Sequence, residues 1–179
     1  MKLIKIIIWI FFTTVVHTQG MYSIIDIPYS ARTIGLSGSG TSSEIYSISN
    51  NPSSIKTDKI IFGAHSIFLP LDINYQRFET IISKNKNVFF SEIKNINFGE
   101  FNDGLTNITF KAREISIKVG LKKPILDTFS TSFSLDYIYS YISDYTSQGI
   151  FGSLGFRTET FNKINGFSFS IENYGIIID

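Results

Sequence analysis

The sequence contains no cysteine, which excludes a disulfide framework, a thiolate metal site and a cysteine nucleophile. It has only two histidines, too few for a histidine-based metal site. Charged residues are also scarce, at 17% of the chain, with 16 Lys and Arg against 15 Asp and Glu. This balance argues against nucleic acid as a partner, because such binding needs a concentrated basic patch. We therefore expect no cofactor and no nucleic-acid partner.

Long hydrophobic runs are also absent beyond the N-terminus, so no transmembrane helix is expected there. The N-terminal apolar segment, Ile6–Val16, follows two lysines and precedes the polar His17–Gln19. A positive start, a short apolar core and a polar boundary are typical of a signal peptide, and the core is short for an anchor helix. We expect a signal peptide over residues 1–20 and one β-barrel domain over 21–179.

Catalytic constellations are missing as well. No Gly-x-Ser-x-Gly elbow is present to activate a serine. The glycine-rich stretch Gly35–Gly40 has no lysine and no amphipathic helix after it, so we interpret it as a turn rather than a phosphate-binding loop. Asp103-Gly104 follows Asn102 and has the composition of a turn. The sequence therefore predicts that the protein is not an enzyme.

Aromatic residues are abundant, with 17 Phe and 9 Tyr, and many of them alternate with small polar residues. Over residues 128–141 the odd positions are mainly apolar, and the even positions are mainly serine. A period of two predicts a long strand, and residues 114–121, 149–156 and 165–171 repeat it. We predict one shared apolar face that includes Ile115, Ile117, Val119, Phe129, Phe133, Leu135, Phe167 and Phe169.

Weaker alternation predicts further strands, and turn signals separate all of them. The weaker strands cover residues 59–68, 73–83 and 87–97. The predicted turns lie at residues 69–70, 84–87, 102–104, 122–124, 143–144 and 162–163. At about ten residues per strand, the chain would hold about seven to nine strands.

The two predicted faces favour an antiparallel outer-membrane β-barrel over a soluble β-sandwich. A sandwich carries Lys, Glu and Thr on its outer face, whereas here the second face is mostly Ser, Gly and Asn. Apolar-out strands of about ten residues with aromatic ends are typical of outer-membrane barrels. Closure would also remove unpaired strand edges. We expect location in the cell outer membrane, with its lipid as one partner.

Several short motifs, in their order and spacing, resemble those of the PorV/PorQ family of outer-membrane proteins, its PorQ-like members most closely. The opening segment is Ser30-Ala31-Arg32 with Gly35 and Gly38, and an Asn51-Pro52-Ser53 turn follows. Later stretches are Ile96–Phe101, which contains Gly99, then Tyr139–Ser147, and finally Glu172–Gly175, which contains Asn173 and Gly175 and resembles a hairpin closure. The similarity extends over nearly all of residues 21–175.

This resemblance implies a FadL-like barrel that acts in type IX protein secretion or surface attachment by binding secretion-system proteins or cargo, and it implies no catalysis. The early glycines would then belong to a plug or to the entry of the first strand. The family's chains are longer and have more strands, and this chain ends at Tyr174–Asp179 without a final aromatic residue. The resemblance therefore implies an incomplete barrel, the N-terminal part of the family fold.

Three alternatives stay open at this point. The first is a FadL-like transporter of hydrophobic small molecules, which would need an apolar pocket inside the barrel. The second is a complete eight-stranded barrel with a structural role. The third is a secreted soluble β-sandwich.

Overall fold

The alternating segments fold as seven β-strands in a computed structural model that describes residues 22–25, 27, 48, 51–102, 109–159 and 166–178. The strands are β1 Ile61–Phe68, β2 Asn74–Lys84, β3 Asn87–Asn102, β4 Thr109–Leu126, β5 Phe129–Ile142, β6 Tyr145–Glu159 and β7 Gly166–Ile178. Two short 3-10 helices, Ser23–Ile25 and Pro52–Ser54, precede them. In this described part of the chain, no helix is long and apolar enough to cross a membrane.

Every strand pairs antiparallel with its neighbour in the chain, in one sheet of order β1-β2-β3-β4-β5-β6-β7. The prediction of an all-β antiparallel fold is confirmed, and seven strands fall within the predicted range. Among the described residues β1 and β7 are the two edges and do not pair with each other, so this sheet is not closed.

Three of the predicted turns are confirmed, and their backbone explains why. Asn85 and Lys86 join β2 to β3 with φ of 52° and 68°, as a two-residue hairpin loop requires. Ser143 begins the turn between β5 and β6 with φ of 55°. Leu71 and Asp72, also at positive φ, lie in the turn between β1 and β2. The predicted turn at residues 162–163 lies outside the described residues, as do Asp103 and Gly104.

The predicted turn at Lys122–Pro124 is wrong. These residues lie inside β4, and the hairpin turns at Asp127–Thr128 instead. Pro124 lies opposite Ser130, immediately before a register shift between Pro124 and Leu126. A bulge at this place accommodates a residue that cannot donate to the ladder, so proline does not end the strand.

The Glu172–Gly175 motif is not a hairpin closure, because it lies within β7. Asn173 has φ of 57°, and the pairing with β6 shifts register beside it, between Gly152 and Leu154. Asparagine adopts the left-handed conformation in turns and in bulges alike, so the motif alone cannot distinguish them. At Gly175 a Cβ atom would collide with the carbonyl oxygen of Ile150.

Gly99 also lies within a strand rather than at its end. It has φ of 82° at a register shift in the pairing of β3 with β4. Its backbone N–H donates to the Asn97 side-chain oxygen at 3.0 Å. A Cβ atom there would lie 3.4 Å from the Leu71 carbonyl oxygen, an ordinary contact, so the positive φ is what favours glycine at this bulge.

The strands present two faces, which we name by their surroundings. The covered face is the one on which residues 22–25, 48 and 51–55 pack, and the open face is its opposite. On the open face one row of paired residues crosses from β2 to β7, and most of its side chains are exposed: Phe78, Ile93, Ile117, Tyr137, Ile150 and Ile176. The predicted apolar residues all belong to this face by alternation along their strands.

The apolar core lies on the covered face, in two clusters that the N-terminal residues help to build. One consists of Tyr22, Ile24, Tyr75, Ile96 and Ile138. The other consists of Ile48, Ile55, Ile81, Val88 and Phe90. Without residues 22–25, 48 and 51–55, the sheet's share of both clusters would lose much of its cover.

Candidate functional site

A network of charged side chains lies on the covered face between the two apolar clusters. Its six members come from four adjacent strands, β2 to β5, and are at most about one-tenth exposed: Arg77, Glu79, Glu92, Lys94, Lys118 and Asp136. Four of them form one cross-strand row in the order Glu79, Glu92, Lys118 and Asp136. Three positive and three negative charges make the network neutral as a whole.

Arg77 is the central cation of this network. Its Nη2 donates to Glu79 Oε2 at 2.6 Å, and its Nε contacts Glu92. Glu79 and Glu92 lie directly opposite each other, an arrangement that is unfavourable for like charges. Arg77 offsets that repulsion because its guanidinium group reaches both carboxylates. Lys94 adds a second cation, with its Nζ 3.4 Å from Glu92 Oε2.

Asp136 is the anion of the other half of the network, on β4 and β5. Ser116 Oγ donates to Asp136 Oδ1 at 2.6 Å, and Lys118 Nζ lies 3.7 Å from Asp136 Oδ2. Burying charges is costly unless each has a partner, and here strand register supplies the partners. At the edge of the network His65 Nε2 lies 3.5 Å from Glu79 Oε1. Within the described residues, no group of three or more metal-ligating side chains is placed to hold a metal ion.

The carboxylate of Glu114, on β4, fastens the first 3-10 helix to the covered face. Its Oε2 accepts hydrogen bonds from the Ile24 backbone N–H at 2.7 Å and the Ser23 hydroxyl at 3.0 Å, and its Oε1 accepts the Ser23 N–H at 3.4 Å. The first N–H groups of a helix have no partner within the helix, so this carboxylate satisfies them. Nearby, the Tyr22 and Ser147 hydroxyls lie 2.7 Å apart.

The Asn51-Pro52 turn forms a second attachment. Asn51 caps the second 3-10 helix, because its Oδ1 accepts the Ser53 N–H at 3.1 Å. Its Nδ2 donates to the carbonyl oxygens of Phe156 at 3.4 Å and Phe169 at 3.3 Å. Asn51 therefore contacts both β6 and β7. Gly155 leaves the space for it, since a Cβ atom at that position would collide with the Asn51 side chain.

A pocket of about 220 Å³ opens beside this second attachment, at the end of the sheet where β4 turns into β5. Lys56, Lys122 and Arg157 supply three cations to its lining. Glu159 Oε1 accepts from both Lys56 Nζ and Arg157 Nε, each at 2.6 Å. Lys122 Nζ donates to the Ile55 carbonyl oxygen.

The residues predicted from family motifs do not come together in one site. Asn51 and Pro52 are buried on the covered face, whereas Gly99 lies at a register shift of β3, and Asn173 and Gly175 lie in β7. The opening motif lies outside the described residues: Ser30, Ala31, Arg32, Gly35 and Gly38.

The charged network and Glu114 were not predicted from the sequence. A signal for them exists in residues 92–94 and 114–118. The covered-face positions there include the charged residues Glu92, Lys94, Glu114 and Lys118, while the open-face positions between them are isoleucine. Such charges usually indicate a solvated face. In the folded protein these side chains are buried instead.

No protein-family model matches the chain, and no curated protein matches its sequence.

Proposed function

We propose that this chain is a membrane-spanning β-barrel protein of the bacterial outer membrane, acting in type IX protein secretion or surface attachment by binding protein partners. The proposal combines two kinds of support. The membrane part is supported by the distribution of side chains between the two faces. The secretion part is supported by the resemblance of the ordered motifs to the PorV/PorQ family.

The single observation that carries the membrane part is the inversion of polarity between the faces. The open face exposes a large apolar residue on every strand, namely Phe62, Phe78, Ile93, Val119, Leu135, Leu154 and Ile171. Soluble monomers rarely expose a contiguous apolar patch larger than a few hundred Å². The hydrocarbon of a bilayer is the environment that favours such a face, and apolar-out, polar-in strands are typical of outer-membrane barrels.

Aromatic residues near both ends of the open face support the same assignment. At one end Tyr139 and Tyr141 lie on β5, and their rings are 6.4 Å apart. At the other end the rings of Phe129 and Phe156 stack with centroids 6.4 Å apart. Outer-membrane barrels carry aromatic girdles at both membrane interfaces.

The covered face favours partner binding over transport of hydrophobic molecules. A conduit for an apolar ligand needs an apolar lining, but the centre of this face carries six charged side chains. Residues 22–25 and 51–55 also occupy the face, held by Glu114 and Asn51. A FadL-like transporter remains the second candidate, and fatty-acid binding to the purified protein is the property that would favour it.

The membrane assignment is tested by detergent phase separation and by lipid reconstitution of the full chain. We expect the protein to enter the detergent-rich phase and to fold on addition of lipid vesicles, seen as a shift in gel mobility between unheated and heated samples. Recovery of folded protein in the aqueous phase would contradict the membrane assignment and favour the β-sandwich.

The secretion assignment needs a separate test in the source cells. Inactivating the gene should reduce the amount of surface-attached cargo protein, and the intact gene should restore it. A matched strain carrying a silent substitution in the gene controls for effects of the manipulation. Normal cargo display together with reduced uptake of labelled fatty acid would replace the secretion assignment with the transporter.

A further inference from the structure

The lining of the pocket at the β4–β5 end of the sheet has more cationic than anionic side chains. Three cations, Lys56, Lys122 and Arg157, face two carboxylates, Glu159 and Asp127. Asp127 lies exposed in the hairpin turn, where water screens its charge. Lys56 and Arg157 both bind the same oxygen of Glu159, so one carboxylate group serves two cations.

Lys122 is the cation that this arrangement leaves without a carboxylate. It is partly buried, on the covered face of β4, and its hydrogen bond goes to the neutral carbonyl oxygen of Ile55. No carboxylate of the described residues lies within ion-pair distance of it. A charge removed from water without a counter-ion is costly, and an ammonium group has three N–H donors. An anion would therefore satisfy both the remaining N–H donors of Lys122 and its charge.

Arg157 adds a second cation, held in a fixed position. Its Nη1 donates to Ser54 Oγ at 3.2 Å and its Nε to Glu159, so contacts on two sides fix the plane of its guanidinium group. Guanidinium and ammonium groups are both cations with which proteins bind phosphate. The volume of about 220 Å³ is below the usual range for drug-sized ligands, so a single phosphate group with a small substituent fits best.

We propose that this pocket binds a phosphate group, with Lys122 as its principal ligand and Arg157 and Lys56 as further cations of the lining. The phosphate has two plausible sources, a small soluble phosphate compound or the headgroup of a phospholipid. Leu126 and Phe129 also line the pocket, and they offer apolar contact to the acyl end of a lipid. The site does not depend on the role proposed for the protein in secretion.

The test measures phosphate binding by the full chain refolded in a neutral, phosphate-free detergent. Inorganic phosphate is titrated and followed by broadening of its phosphorus NMR signal. In parallel, protein reconstituted in vesicles of phosphatidylglycerol and phosphatidylcholine is examined by native mass spectrometry for retained phosphatidylglycerol. Saturable binding of free phosphate alone identifies a soluble ligand, and retention of the lipid alone identifies a headgroup. Absence of both overturns the proposal.

Matched variants assign the binding to this pocket. We expect Lys122→Gln to weaken binding at least tenfold, and Lys123→Gln, on the next residue but the opposite face of β4, to change it less than twofold. Glu159→Gln should strengthen binding severalfold, because it releases two cations from their carboxylate.

Each variant is first checked for native gel mobility. If Lys122→Gln does not fold, Lys56→Gln at the rim should still weaken binding measurably. Equal affinity in all folded variants would overturn the assignment.

Discussion

Side chains alternate along each strand between the open and the covered face, and the two sets differ in polarity and in exposure. On the open face, apolar side chains are exposed, with Val119 and Phe133 about half accessible. On the covered face, charged side chains such as Arg77 and Glu92 are almost fully buried, at 1% each. A water-soluble protein normally has the opposite arrangement. The two faces of the same strands are therefore suited to different environments.

The largest expected effect comes from breaking the network on the covered face. Arg77→Met removes the cation shared by Glu79 and Glu92 and leaves two buried carboxylates that repel each other. We expect a loss of about 3–5 kcal/mol in the free energy of unfolding, as for other buried ion pairs that lose one partner. The measurement is urea unfolding in lipid vesicles, followed by circular dichroism.

The exposed ion pair of Lys111 with Glu100, joined at 2.7 Å, provides the matched control for that variant. Both of its side chains are about 60% exposed, so water and salt screen the pair and it contributes little to stability. Lys111→Met should therefore be nearly neutral. Equal destabilisation by both variants would mean that the covered face is accessible to water.

The next effect tests the open face. Phe133→Lys places a charge near the middle of β5 on that face, and we expect a cost of about 2–4 kcal/mol for folding in lipid if the residue lies at mid-bilayer. Phe68→Lys, at the end of β1, should cost about 0–1 kcal/mol, as expected near an interface. The measurement is again urea unfolding in vesicles. Unchanged folding of Phe133→Lys would show that this face does not meet lipid.

A smaller effect is expected at Glu114, which fastens the first 3-10 helix to the covered face. Glu114→Ala removes three hydrogen bonds to Ser23 and Ile24 and leaves their backbone N–H groups unsatisfied. Hydrogen bonds to charged groups contribute about 1.5–3 kcal/mol, so residues 22–25 should exchange amide hydrogen faster while the strands stay protected. Hydrogen exchange read by mass spectrometry makes the measurement, with Glu100→Ala as the exposed control. Unchanged protection of residues 22–25 would show that the apolar contacts of Tyr22 and Ile24 suffice to hold them.

The smallest effect is expected at the second attachment. Asn51→Ala removes the cap of the Pro52–Ser54 helix and the bonds to β6 and β7, and loss of a cap alone costs about 1 kcal/mol. Thr57→Ala, which removes an exposed contact with Lys59, is the control. Chemical denaturation of the two variants in parallel would detect the difference. If Thr57→Ala costs as much as Asn51→Ala, the contacts of Asn51 across two strands contribute nothing.

Much of the fold could be predicted from the sequence because one face of each strand is apolar and the other is small or polar. Period-two alternation reports that difference directly, so all seven strands were anticipated. Their ends were less accurate. Pro124 and Asn173 have local preferences that suit a turn and a bulge equally well, and only pairing with the neighbouring strand decides between the two.

The contents of the covered face could not be predicted in the same way. The bond from Ile24 to Glu114 joins residues 90 positions apart in the chain, and no local pattern records such a contact. The charges of Arg77, Glu92 and Lys94 are visible in the sequence, but whether they meet water or each other depends on strand register and on what packs above them. Burial of charge is a tertiary property, whereas alternation is a local one.

The antiparallel order of the sheet restricts the number of strands that could join its two edges. Because seven strands alternate in direction, the two edge strands β1 and β7 point the same way. Any set of strands that joins both edges by antiparallel pairing must therefore contain an odd number of members. In two copies of the sheet related by a rotation axis along the strands, β1 of one copy would lie parallel to β7 of the other. A purely antiparallel ring of two copies would require one copy to be inverted relative to the other.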